Sequence, residues 1–197
     1  MERDYEYSSK RHYKDLLTPK QIGESAAKLA ISKLNPKKIE SNKMGIVFDK
    51  RIAQNLLSTF ASAISSNTIS KGTTFLKDCL NKKIFNDQIN IIDKANIKKA
   101  NGSRYFDSEG VRIEDLQLVK NGILKDYLVE TYSGKKIKRK SNGRSSGTTN
   151  LYFENGDQSF DQLINSEKKL LYIKETIGRG ANTVSYTHLT LPTNDVV

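Results

Sequence analysis

Leu116-Gln117-Leu118-Val119-Lys120-Asn121-Gly122-Ile123-Leu124-Lys125-Asp126-Tyr127 is the stretch that decides the fold class of this 197-residue chain. Asn121-Gly122 stands between two apolar-rich runs. A two-residue type I′ turn needs φ > 0 at both central positions, which Asn and Gly tolerate best, so the stretch predicts an antiparallel hairpin. Outward from it, Ile89 to Asp93, Thr149 to Phe153 and Leu170 to Thr176 read as further strands. Met44-Gly45-Ile46-Val47-Phe48 is a short apolar run that fits a buried strand.

Helical signals lie between these strands. Thr18-Pro19-Lys20-Gln21 combines an N-cap, a proline at the first helical position and a capping-box glutamine. Ile22, Ala26, Leu29 and Ala30 follow at helical spacing, and Asn35-Pro36 ends that helix. Asp49 can cap a second helix from about Lys50 to Ser66, with Ile52, Leu56, Phe60, Ala63 and Ile64 on one apolar face. Lys71 to Leu76 leads into a short amphipathic piece ending near Leu80, and Ser159 or Asp161 starts a last short helix. Hairpin strands with segregated helices give an α+β fold: a mixed, largely antiparallel sheet with a buried helix. The polar connector KKIESNK before Met44 is the best domain boundary.

Composition narrows the class. Hydrophobic residues make up 36% and charged residues 28%, enough for one good core. No run approaches the roughly 18 apolar residues of a membrane span, and the first thirty residues show no signal-peptide h-region. A single cysteine, Cys79, fits a reducing compartment, so the cytoplasm is the expected location; on its amphipathic segment it reads as a core residue. The net charge of +11 comes from 25 Lys against 8 Arg, scattered except for Lys135, Lys136, Lys138, Arg139 and Lys140, with Arg144 in the same Gly/Ser-rich stretch. Residues 133–151 contain no aromatic on which a base could stack, so a solvated basic loop is preferred over a nucleic-acid patch.

Catalytic constellations are scarce. Val184 to Thr193 match the translated end of a sequencing adapter, so residues 184–197 are expected to be read-through; His188 goes with them, leaving His12. One histidine cannot supply an H-E-x-x-H helix, and no base stands beside Cys79. No G-x-S-x-G elbow or Walker-type loop occurs, and Gly178-Arg179-Gly180 is too short for a dinucleotide fingerprint. Asp107, Glu109, Glu114 and Asp115 form an acidic cluster that reads as a charged turn more readily than as a catalytic pair. The expectation is no catalytic and no metal-binding residue in this chain.

Several segments, in order along residues 1–183, resemble the PmbA/TldE side of the TldD/PmbA family, once called modulators of DNA gyrase. Arg3-Asp4-Tyr5-Glu6-Tyr7-Ser8 is similar to that family's R-D-Y-W-Y-S/T stretch, with Glu6 in place of Trp. Val47 to Ala53 and Gly72 to Asp78 are similar to its strand–helix–loop segment. Tyr105-Phe106-Asp107-Ser108-Glu109-Gly110-Val111 is similar to its P-F-D-x-E-G-V element. The Lys120 to Leu124 hairpin, Thr149 to Tyr152 and Gly178 to Asn182 also have counterparts there.

The resemblance implies that residues 1–43 end a preceding central domain and that 44–183 are an incomplete C-terminal domain of the TldD/PmbA type. It implies membership in a heterodimeric zinc metalloprotease acting on unfolded peptides. There the TldD-type catalytic subunit carries H-E-x-x-x-H on the helix matching residues 50–66, and the zinc is expected in that partner. Here the corresponding positions fall on Leu57, Ser58 and Ser62, which marks the non-catalytic type. The loop carrying Lys135, Lys136, Lys138, Arg139, Lys140 and Arg144 is a candidate contact surface for peptide or partner. A DNA- or gyrase-associated modulator without peptidase activity is the alternative.

Overall fold

The computed structural model describes residues 2–40, 42–166 and 169–176. The adapter-like tail, His188 and the Gly178 to Asn182 motif lie outside the described residues. Two compact units emerge, one holding the residues up to 43 with 99–101, the other holding 44–98 and 102–176 among the described residues.

In the first unit, helix α1 (Pro19–Ser32) starts as its sequence predicts. Gln21 N–H donates to Thr18 Oγ1 at 3.3 Å while Thr18 N–H donates to Gln21 Oε1 at 2.9 Å. Reciprocal bonds of this kind satisfy two helix-end donors that would otherwise lack partners. Asn35, at φ 55°, turns the chain away just before Pro36. Lys99 Nζ contacts both oxygens of Asp15, at 3.1 and 2.9 Å, and holds that carboxyl below its ordinary pKa.

The second unit is α+β. Its main sheet contains β2 (Ile91–Lys94), β3 (Leu116–Lys120), β4 (Ile123–Leu124) and β5 (Asn150–Phe153), in the order β4-β3-β2-β5, antiparallel throughout. The β3–β4 turn has Asn121 at φ 50° and Gly122 at φ 73°, the signs a type I′ turn requires. The parallel component is separate: β1 (Gly45–Phe48) pairs with β6 (Leu170–Ile173) as a two-stranded sheet. The expected burial of β1 is corrected here. Ile46 is 53% and Phe48 42% exposed, because side chains alternate across a strand and only one face of this pair is covered.

Helix α2 (Lys50–Ala63) is capped by Asp49, which accepts from Arg51 N–H at 2.9 Å and from the Tyr172 hydroxyl of β6. That bond to Asp49, then burial, push the Tyr172 phenol up to about 12. Ile52, Leu57, Phe60 and Ala63 bury one face of α2. Leu56 lies on the same stripe yet is 47% exposed, since burial depends on what stands opposite. The helix also ends earlier than its periodicity predicts. Ser66 N–H donates to Leu128 O at 2.8 Å and Leu128 N–H to Ile64 O at 3.0 Å, so the segment after the hairpin takes backbone groups a continuing helix would use. A separate helix α3 (Ser66–Lys71) begins there, capped by Ser65.

Helix α4 (Thr131–Lys136) forms where a loop is expected. Buried hydroxyls join it to α3. Glu130 N–H donates to Ser66 Oγ, Ser66 Oγ lies 2.5 Å from Ser133 Oγ, and Ser133 Oγ donates to Glu130 Oε1 at 2.8 Å. The core gathers Leu57, Phe60, Ile64 and Ile69 against Ile91, Leu118, Val119 and Leu124, with Leu76 and Tyr127 to Val129. Tyr127 donates its hydroxyl to Lys77 O at 2.6 Å, and burial raises its pKa. Cys79, in a turn and not a helix, is half-buried against this cluster. Helix α5 (Phe160–Ile164) carries a second capping box, Ser159 with Gln162. Among the described residues no helix is long and apolar enough to cross a membrane.

Two glycines separate backbone strain from crowding. A Cβ on Gly122 would lie 2.2 Å from Phe85 O and 2.7 Å from Asn86 O, whereas one on Gly110 (φ 74°) meets nothing within 4 Å. Gly110→Ala should cost about 1 kcal/mol, the left-handed penalty alone, and Gly122→Ala more than about 2 kcal/mol. Urea-unfolding midpoints of the two variants check the difference.

Candidate functional site

The outer surface of α2 is lined by hydroxyls. Ser58 Oγ donates to Gln54 O, Thr59 Oγ1 to Asn55 O and Ser62 Oγ to Ser58 O, each at 3.0 Å. Each hydroxyl proton is thus committed to the carbonyl one turn earlier. Ser58 and Ser62 stack on one exposed side of the helix, and Leu57 is 7% exposed inside the core. The three positions therefore do not converge on a common point. A catalytic zinc needs imidazole, thiolate or carboxylate donors with an open coordination position, and an aliphatic carbon and two neutral hydroxyls do not fit it. Among the described residues no group of three or more His, Cys, Asp or Glu could hold a metal ion.

The basic cluster divides into two kinds of side chain. Lys135, Lys136, Lys138 and Lys140 are exposed. Arg139 Nη2 contacts Asp126 Oδ1 at 2.6 Å, with its guanidinium 5.9 Å from the Tyr127 ring centre. Arg144 corrects the expectation of a solvated contact loop, for its side chain and that of Asp93 are both fully buried. Its Nε donates to Asp93 Oδ2 at 2.6 Å, and its Nη atoms donate to Asn142 O at 3.0 Å and Glu114 O at 2.8 Å. Asp93 also accepts from Thr149 N–H and Oγ1, both at 2.8 Å to Oδ1. One charge pair thereby fastens β2, the strand-like approach to β3 and the loop before β5.

The acidic residues do not form a catalytic pair. Asp107 is buried and accepts from Glu109 N–H and Val111 N–H, both at 2.9 Å, and from Ser145 N–H at 3.1 Å. Burial opposes its ionisation, but these hydrogen bonds outweigh it and hold the carboxyl below its ordinary pKa. Glu109 accepts from Thr131 N–H and Oγ1, at 2.9 and 2.7 Å. Asp115 accepts from Ala95 N–H at 2.9 Å. Arg104 adds bonds from Nη2 to the carbonyls of Ser146, Gly147 and Thr148. The loop of residues 141–149 is thus held from within by charged groups. The sequence did carry a signal for this: Asp93 follows two isoleucines in a strand, where a carboxylate is buried and must find a cation.

Replacing Arg144 by Met should destabilise the protein by about 3–5 kcal/mol, because Asp93 remains buried and uncompensated. Lys140→Met, on the exposed side of the same stretch, should stay within about 0.5 kcal/mol. Urea unfolding monitored by circular dichroism reads both. Asp107 predicts a pH dependence. Its folded pKa lies below the unfolded value, so its contribution is complete above about pH 4 and is lost as pH falls through the lowered value. The stability advantage of the wild type over Asp107→Asn should shrink below about pH 4, and unfolding midpoints measured from neutral pH into acid test this.

Comparison with known proteins gives a consistent set of relatives. Residues 41–190 match the family described as PmbA/TldA metallopeptidase C-terminal domain. A metalloprotease PmbA homolog of Haemophilus influenzae is 36% identical over 186 residues, covering 94% of this chain and 41% of the relative. The crystal structure of a candidate modulator of DNA gyrase from Bacteroides thetaiotaomicron superposes with a TM-score of 0.83 at 31% identity, covering 90% of this chain and 40% of the other. TldE from Thermococcus kodakarensis shares the fold, with a TM-score of 0.63 at 23% identity over 78% of this chain and 38% of its own. The chain spans about two fifths of the length of the curated relatives it matches.

Proposed function

The chain belongs to the PmbA/TldD metallopeptidase family, and from that premise we propose that it serves as a non-catalytic subunit of a zinc-dependent peptidase acting on unfolded peptides. The observation that supports this reading most directly is the donor set of α2. Where the resemblance places H-E-x-x-x-H, the chain has Leu57 in its core and Ser58 and Ser62 with their protons committed to the helix backbone. Without an imidazole or carboxylate there, the helix offers neither a strong metal ligand nor a general base. In this proposal the zinc and the base come from a TldD-type partner, and this chain completes the enclosure in which an extended peptide is held. β5 ends the sheet order β4-β3-β2-β5, so its outer backbone groups are suited to adding a peptide strand by β-augmentation. The cytoplasm is the proposed location, in keeping with the single half-buried thiol.

The test joins metal analysis to an activity assay. After incubation with zinc and dialysis, the purified chain should retain no stoichiometric metal. Cleavage of an unfolded peptide should appear only when a TldD-type subunit is added. Stoichiometric zinc together with cleavage by this chain alone would overturn the proposal.

A further inference from the structure

The basic stretch that is a candidate contact surface starts on α4, which a hydrogen bond joins to the neighbouring 105–112 turn. Tyr132 is 68% exposed on α4, and Lys136 Nζ stands 4.4 Å from its ring centre. Lys135, Lys138 and Lys140, close in sequence, are exposed too, and among the described residues none of these four lysines has an ion pair. The adjoining turn exposes two more aromatics, Tyr105 at 68% and Phe106 at 60%. Neither segment is loose. Glu109 ties the turn to the first residue of α4 through Thr131, Asp107 ties it to Ser145, and Ser133 anchors α4 to Ser66.

Large aromatics presented on a hydrogen-bonded scaffold are the kind of group that supplies contact area at protein interfaces. The charge around them selects the partner. The two arginines of the cluster, which could grip phosphates bidentately, are committed to Asp126 and Asp93. Glu109 lies in the adjoining turn and bonds the first residue of α4, so the lysines form a discrete cationic spot, unlike the continuous track a phosphate backbone follows.

We propose that Tyr132 with Lys135, Lys136, Lys138 and Lys140, flanked by Tyr105 and Phe106, is a docking surface for an acidic, partly apolar segment of a partner protein. Lysine supplies the steering charge and the tyrosine supplies the desolvated anchor. The surface lies apart from the hydroxyl face of α2 in its residues and chemistry, so the inference stands whether or not the chain completes a peptidase.

Fluorescence anisotropy with a short fluorescein-labelled Glu-Leu repeat peptide tests it at low ionic strength. Tyr132→Ala changes no charge and should weaken binding about five- to tenfold. Lys135→Glu/Lys136→Glu should weaken it about tenfold or more. The control Lys37→Glu/Lys38→Glu makes the same charge change in the first unit and should leave the affinity nearly unchanged. Circular dichroism should report wild-type folding for all three, since the replaced side chains are exposed. Absence of peptide binding, or equal losses for the two Lys pairs, would overturn the proposal by reducing the effect to net charge. Tighter binding of an oligothymidylate that depends on Tyr132 would assign the surface to nucleic acid instead. Self-association abolished by Lys135→Glu/Lys136→Glu would assign it to a second copy.

Discussion

The buried pair of Asp93 and Arg144 is the constraint on which the second unit depends. Two charges removed from water are tolerable only if every strong hydrogen-bonding direction is used. Here Arg144 bonds Asp93, Asn142 O and Glu114 O, while Asp93 takes two further donors from Thr149. Those bonds reach three separate stretches of chain, so satisfying the pair determines how the Gly/Ser-rich loop runs between α4 and β5. A segment whose composition suggests mobility is thereby given one path. The same loop is held a second time by Asp107 and a third by Arg104.

The hydroxyl-rich sequence of α2 and α3 follows a related logic at lower charge. On the outer face Ser58, Thr59 and Ser62 turn back onto carbonyls of their own helix, which satisfies them without a partner from another element. On the inner face Ser66 and Ser133 are buried and satisfy one another through Glu130, which joins the starts of α3 and α4. The same residue type is inert surface in one place and a link between helices in the other. Burial makes the difference, because an unpaired hydroxyl in the core would cost stability and an exposed one would find water.

The basic cluster shows how a run of like residues is divided by tertiary structure. Arginines, with planar multi-donor heads, take the interior and half-interior positions against Asp93 and Asp126, while the lysines remain outside. The charge that reaches the surface is therefore smaller and more local than the sequence count implies, and one of its lysines, Lys136, stands against an exposed aromatic, Tyr132. Tyr132 stands one residue before the aromatic-free stretch 133–151, and helix α4 is what brings it beside Lys136.

Local sequence alone determined the elements whose causes are local. The Asn121-Gly122 turn, the two capping boxes, the Asp49 cap and the α+β class follow from φ preferences and from donors within three or four residues. That α2 carries no His, Asp or Glu is likewise read from the sequence, since no fold can make an imidazole from leucine or serine. Tertiary structure decided what depends on distant partners. The break after Ala63 comes from Leu128, the exposure of Ile46 and Phe48 from the limited cover over a two-stranded pair, and the helix in the basic stretch from its packing on α3. Arg144 is the clearest case. Nothing within its own segment distinguishes it from its basic neighbours, and only the approach of Asp93, 51 residues earlier in the chain, turns a surface cation into the centre of the loop.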